Sequence, residues 1–185
     1  LLGELKDVSI CYGQTPVCEN ISFQIRRGDR IALSGPNGCG KSSILKLILG
    51  RTIPYSGQLK IGKGVTVSYV AQDTADLKGT LEDLTREEGI DMSLMLAMLN
   101  KLDVSKVQME KDLRLLSMGQ KKKVLLARSL CQKAHLHIWD EPMNYIDVIS
   151  RIQLEELLLE YEPTILFVEH DKAFCRNVAT KTVVF

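Results

Sequence analysis

Long apolar runs are missing from this 185-residue sequence. No stretch approaches the ~18 residues that cross a bilayer as a helix, and no charged start leads into an apolar signal core. A helical membrane span is therefore not expected. Cysteine is sparse and scattered. Cys11, Cys18, Cys39, Cys131 and Cys175 are odd in number and form no C-x-x-C pair, which argues against a disulfide framework or a zinc site and fits a reducing cytoplasm. An excess of one charge is lacking too: 24 Lys and Arg stand against 23 Asp and Glu, a formal charge of +1. Charge alone thus predicts no nucleic-acid or membrane partner. There is no internal repeat and no low-complexity linker. What is present is 45% apolar residues, enough to bury the core of one domain. The start at Leu1 and the stop inside an apparent strand, Thr182 to Phe185, read as a segment of a longer protein.

Alternating apolar and polar residues predict strands over Leu5 to Ile10 and Val17 to Ile25, and a short strand at Arg30 to Ser34 leads into a glycine-rich loop. Lys41 to Leu49 reads as a helix closed by Gly50. Gly57 to Ile61 and Val65 to Val70 are further strands, so the front of the chain mixes hairpin and parallel elements. From Thr80 to about Leu116 the period becomes helical, most clearly at Met92, Met95, Leu96, Leu99 and Leu102, which predicts an inserted helical subdomain with the Met stripe in its core. Beyond it, Lys122 to Cys131 and Ile149 to Tyr161 read as helices, Leu136 to Trp139 and Thr164 to Val168 as buried strands. Strand and helix in alternation imply a mostly parallel sheet, hence an α/β fold.

The loop GPNGCGKS, Gly35 to Ser42, satisfies G-x-x-x-x-G-K-[ST] between a predicted strand and a predicted helix, the context a P-loop requires. Gly35, Gly38 and Gly40 let the backbone wrap closely, so that the loop running through Pro36, Asn37 and Cys39 to Ser43 turns successive N–H groups toward phosphates. Lys41 should reach the β- and γ-phosphates of the nucleotide and Ser42 should ligate Mg²⁺. The strand ending at Trp139 delivers Asp140 and Glu141 to the edge where open α/β sheets bind ligands. Asp140 is placed to hold Mg²⁺ and Glu141 to orient and polarise water. Three features have plainer readings. His135 and His137, two residues apart, imply no further metal ligand. Cys39 could respond to oxidation at a helix N-terminus, but a passive small residue is the default reading. Lys121, Lys122, Lys123 and Arg128 could touch RNA phosphates, although a solvated helix face is the default.

These motifs in this order resemble the nucleotide-binding domain of ABC ATPases over essentially the whole chain. The resemblance implies ATP and Mg²⁺ as ligands and the ABC-type P-loop fold: a mostly parallel core, a small antiparallel β subdomain and an inserted helical subdomain. It implies one ABC domain over 1–185, with 73–117 as the helical subdomain and 1–72 and 118–185 as the rest. Gly35 to Ser42 matches Walker A, and Gln72 matches the Q-loop, bridging Mg²⁺ and water. Ser117, Met118, Gly119 and Gln120 match the signature, of which Ser117, Gly119 and Gln120 would serve a nucleotide on a second ABC domain. Asp140 and Glu141 match Walker B and the catalytic glutamate, Asn144 to Asp147 the D-loop, and His170 the switch histidine; Tyr12 is placed to stack on adenine.

The text DEPMNYID, followed by ISRIQLEEL, is similar to the ABC-F branch, and within it to the C-terminal domain of antibiotic-resistance ribosomal protection proteins of Gram-positive bacteria. That implies a cytoplasmic protein with two ABC domains that engages the ribosome and its RNA. The alternative is the ATP-binding subunit of a transporter, with a membrane partner. Two departures stand out. The segment from Gln72 to Ser117 has no room for an inserted arm, and Met118 replaces the first glycine of the usual LSGGQ. A position that needs φ > 0 or close approach to phosphate would be weakened by Met, making two composite sites unequal. Equal single-turnover rates at the two sites would contradict that inequality.

Overall fold

The alternation at the front of the chain becomes β1 (Gly3–Tyr12) and β2 (Thr15–Ile25), which pair antiparallel, with β4 (Tyr55–Ile61) on the other side of β1. This architecture comes from a computed structural model that describes residues 1–74 and 77–185. Among these, a second sheet has five parallel strands in the order β5-β6-β7-β3-β8: β5 is Val67–Val70, β6 Leu136–Asp140, β7 Ile165–Val168, β3 Arg30–Ser34 and β8 Lys181–Val184. The expected α/β fold, a parallel core beside a small antiparallel sheet, is thus observed.

The inner parallel strands are short apolar runs because both of their faces are covered. Ile138, Leu166, Ile31 and Leu33 point into one core with Leu5, Val8 and Ile25 of the antiparallel sheet and with Ile44 and Leu45 of α1 (Lys41–Ile48). Their alternate neighbours, Trp139, Phe167 and Ala32, point into the other core, against the later helices. Phe167 meets Phe174 edge-on, with ring centroids 5.6 Å apart.

The helical stretch after β5 is broken by its own caps into α2 (Leu81–Glu88), α3 (Met92–Lys101), α4 (Lys106–Met109) and a 3-10 turn at Leu113–Leu115. Thr80, Asp91 and Ser105 each accept a bond from a first-turn N–H, which is why one long helix does not form. Met95 and Met98 are buried in the core. Positions 75 and 76 of the 73–117 segment lie outside the described residues. Beyond shifts of a few residues at strand ends, two helices depart from expectation. The helix α5 (Met118–Cys131) starts four residues before Lys122, because Ser117 and Gln120 form a capping box. After α6 (Val148–Tyr161), an unexpected helix α7 (Lys172–Val178) follows β7, started by Asp171, which accepts from the N–H groups of Ala173 and Phe174 at 2.9 Å each.

The two histidines separate. His135 precedes β6 and its Nδ1 lies 2.8 Å from the Thr66 hydroxyl. His137 is buried in β6, where Ser129 Oγ meets its Nδ1 at 3.1 Å and accepts from Trp139 Nε1 at 2.9 Å. Burial pushes the imidazole down from 6.5 to about 4. Between those values the unfolded chain binds a proton that the folded chain excludes. The His137 contribution is therefore complete above pH 6.5 and is lost as pH falls toward 4, at most roughly 3 kcal/mol over the window. Urea midpoints should fall on acidification through this range, and His137→Gln should flatten the slope; equal slopes would count against the assignment.

Candidate ATP site

Four parallel strands deliver their C-terminal ends to one place, the edge at which open α/β sheets bind ligands. The end of β3 runs into Gly35 to Gly40, β5 leads to Gln72, β6 to Asp140 and Glu141, and β7 to Glu169 and His170. A cavity of about 350 Å³ opens there, lined by Asn37, Lys41, Ser43, Glu141 and His170 among others.

The P-loop is built for an anion. Gly40 is the N-cap of α1 at φ +94°, and a Cβ there would lie 3.0 Å from both Val17 and Cys18. No side chain caps the helix, so its first N–H groups are open to an acceptor. Lys41 is buried, and its ammonium donates to the carbonyls of Gly35 and Pro36 at 2.7 Å each, which folds the loop around the charge. Cys39 Sγ lies 3.7 Å from the same ammonium. Tyr12 is half exposed, and its hydroxyl sits 3.1 Å from Ser43 Oγ, so the ring borders the P-loop helix.

The Ser42 hydroxyl donates to Asp140 Oδ1 at 3.3 Å. Hydroxyl and carboxylate oxygens brought together are the hard donor set that Mg²⁺ takes, so these residues fit the ion. Burial pushes the Asp140 carboxyl up; the Ser42 hydroxyl opposes this, Glu141 adds to it, and Lys122 opposes it.

Glu141 is the centre of the polar network. Its backbone takes φ +52°, uncommon for a side-chain-bearing residue, and its N–H donates to the last carbonyl of β7, Val168, at 2.9 Å. Glu141 Oε2 accepts from Gln72 Nε2 at 2.8 Å and from Asn144 Nδ2 at 2.7 Å, while His170 Nε2 lies 3.4 Å from Oε1. Gln72, Glu141 and His170 are therefore brought together at one place.

The sequence marks Asn144 only as the start of the D-loop and does not foresee its bond to Glu141. Glu169 escaped the sequence reading: one of its oxygens accepts from the N–H groups of His170 and Asp171 at 2.7 and 3.1 Å, the other from Met143 N–H at 3.0 Å. An acidic residue directly after a buried strand, before His-Asp, was the available signal. The basic run needs correction: it is not a solvated face. Lys122 and Lys123 are buried, and Lys123 Nζ pairs with Asp147 Oδ2 at 3.0 Å, tying α5 to the N-cap of α6. Arg128 donates to Tyr69 O at 3.0 Å.

The signature residues do not line the P-loop cavity. Ser117 is the N-cap of α5, and Met118 lies at the first helical position, half exposed and not among the positive-φ residues, so no backbone strain attaches to it. Gly119 is the tight position, because a Cβ there would lie 2.6 Å from the Tyr145 carbonyl oxygen.

A strand-loop-helix phosphate cradle, with an acidic pair at the end of a central parallel strand, defines a P-loop nucleotide-binding domain. The family profile described as ABC transporter matches residues 18–144, and the chain belongs to that family as an ATP-binding domain. It is 35% identical over 193 residues to the ATP-binding protein Uup of Haemophilus influenzae, covering 100% of this chain and 30% of that protein. It is 31% identical over 188 residues to the ribosome protection protein VmlR of Bacillus subtilis, covering 98% of this chain and 34% of that protein. The chain thus spans about a third of the length of these relatives. In fold it is similar to the dimeric structure of MJ0796, a bacterial ABC transporter cassette, with a TM-score of 0.80 at 20% identity over 99% of this chain and 94% of that one. Among the described residues no helix is long and apolar enough to cross a membrane.

Proposed function

We propose that this domain hydrolyses ATP at sites shared with a second ABC domain, and that the closing and opening of the pair is a switch on the ribosome. The observation that carries the hydrolytic part is the grip of Gln72, Asn144 and His170 on the Glu141 carboxylate beside the Ser42–Asp140 pair. In this reading Tyr12 stacks on the base, while Lys41 and the N–H groups from Gly35 to Ser43 hold the phosphates. Ser42, Asp140 and Gln72 would hold Mg²⁺, which would supply neutralisation of the phosphate charge when bound. Glu141 accepts a proton from the water that attacks the γ-phosphorus, as the bond to ADP breaks, and His170 senses the γ-phosphate.

Ser117, Gly119 and Gln120 lie off the P-loop cavity, which supports their completing a nucleotide on the partner domain. The ABC-F assignment, as the second domain of a two-domain cytoplasmic protein of the resistance type, is supported by DEPMNYID and by the similarity to VmlR. The domain boundaries within 1–185 follow the same reading.

The isolated domain should bind Mg·ATP yet turn it over slowly, with a rate that climbs with protein concentration. Fast, concentration-independent turnover would contradict the shared site. For the ribosomal part, the full-length protein should co-sediment with ribosomes when ATP is present. Association with a membrane permease instead would favour a transporter subunit.

A further inference from the structure

We propose that Lys122 is a positioning residue of the ATPase site, holding the segment after β5 so that the Gln72 amide meets Glu141. The inference rests on the reading of Gln72 and Glu141 as hydrolytic residues.

Lys122 is fully buried, within the second turn of α5. A lysine ammonium is costly to remove from water unless its donors are satisfied. Its Nζ donates to the carbonyl of Ala71 at 3.1 Å, with the Gln72 carbonyl at the long distance of 3.5 Å. Both carbonyls lie beyond Val70, the last residue of β5, where the ladder to β6 has ended. The ammonium is therefore a strut from α5 to the backbone that carries the Gln72 side chain. That side chain donates to Glu141 Oε2 at 2.8 Å. Burial pushes the Lys122 ammonium below its ordinary range, and the field of Asp140, Glu141, Glu169 and Asp73 opposes that shift.

Ser117 caps the same helix, so a shift of the α5 N-terminus would move the strut and with it Gln72. The neighbouring Lys123 has a different attachment, Asp147 at the start of α6. Two adjacent lysines thus fasten one helix to two loops that reach the same glutamate: Lys122 through Gln72, and Lys123 through the Asn144 to Asp147 segment.

The test is Lys122→Met, an unbranched side chain of similar length without donor or charge, in the full-length protein. Its kcat for ATP should fall about 10- to 100-fold, since small displacements in a reacting array cost that much, while KM stays within about twofold. In a Gln72→Ala background the same change should cost less than about twofold, because the two act in series. A general loss of folding would instead lower both backgrounds alike. If Lys122→Met does not fold, Lys122→Gln, with a donor one bond shorter, is read in the same cycle. Wild-type turnover in Lys122→Met, or losses that multiply fully in the Gln72→Ala background, would overturn the role of Lys122. A wild-type protein without turnover, or a fully active Glu141→Gln variant, would overturn the reading of the site itself and this inference with it.

Discussion

Glu141→Gln is expected to lower ATP hydrolysis at least about 100-fold while leaving ATP affinity within about threefold. The amide matches the carboxylate in size, so φ +52° at this position and the N–H bond to Val168 remain available. What changes is the chemistry of the side chain. A carboxylate with two acceptor oxygens, meeting Gln72 and Asn144 on one and His170 beside the other, becomes an amide with one acceptor and a donor. It cannot take a proton from water. The phosphate cradle, Lys41 and the Ser42–Asp140 pair are untouched. In the full-length protein the variant should accumulate as an ATP-bound closed form that stays on ribosomes. Nucleotide titration, single-turnover hydrolysis and co-sedimentation measure the three consequences. Normal hydrolysis would remove Glu141 as the base, and normal release from ribosomes with ATP would detach hydrolysis from the switch.

The second large effect is expected at Gly119, and it is steric. A methyl group there would lie 2.6 Å from the Tyr145 carbonyl oxygen, inside any real contact distance. Either the first turn of α5 or the segment from Asn144 to Asp147 must move. That segment is already constrained: Tyr145 takes φ +66°, Asn144 holds Glu141, and Asp147 caps α6 while pairing with Lys123. Gly119→Ala should therefore cost about 1–3 kcal/mol in unfolding free energy, the usual range for overpacking. It should also lower hydrolysis at least about tenfold through displacement of Asn144 and Glu141. Denaturant unfolding and steady-state turnover test the two parts. Unchanged stability would mean that the contact relaxes freely. Met118→Gly offers the contrast: with no strained φ to relieve, and at the first helical position, it should cost no more than about 1 kcal/mol and bring no gain in rate.

Much of the site was legible along the chain because each motif couples a local conformation to a local chemistry. A loop with Gly35, Gly38 and Gly40 before a helix has few alternatives to a phosphate cradle, and a buried strand ending in Asp140 and Glu141 must present both at the sheet edge. Caps are equally local, but one was hidden. The same Ser117 and Gln120 that mark the signature also form a capping box, so α5 starts at Met118 and Lys122 and Lys123 fall on buried positions. Lysine usually reports a solvated face; here backbone carbonyls of Ala71 and Gln72, and the carboxylate of Asp147, replace water.

The sequence by itself determined the alternation that makes the α/β fold, the phosphate loop and the acidic pair, since each depends on neighbours within a few positions. Only the tertiary structure decided which distant residues converge on Glu141, where Gln72 comes from 69 positions away and His170 from the end of another strand. It also decided that Gly119, rather than Met118, is the position with no room for a side chain. The physical reason is the same in both cases. Parallel strand order, β5-β6-β7-β3-β8, sets which strand ends are neighbours, and that order is chosen by burial of two apolar faces over the whole chain.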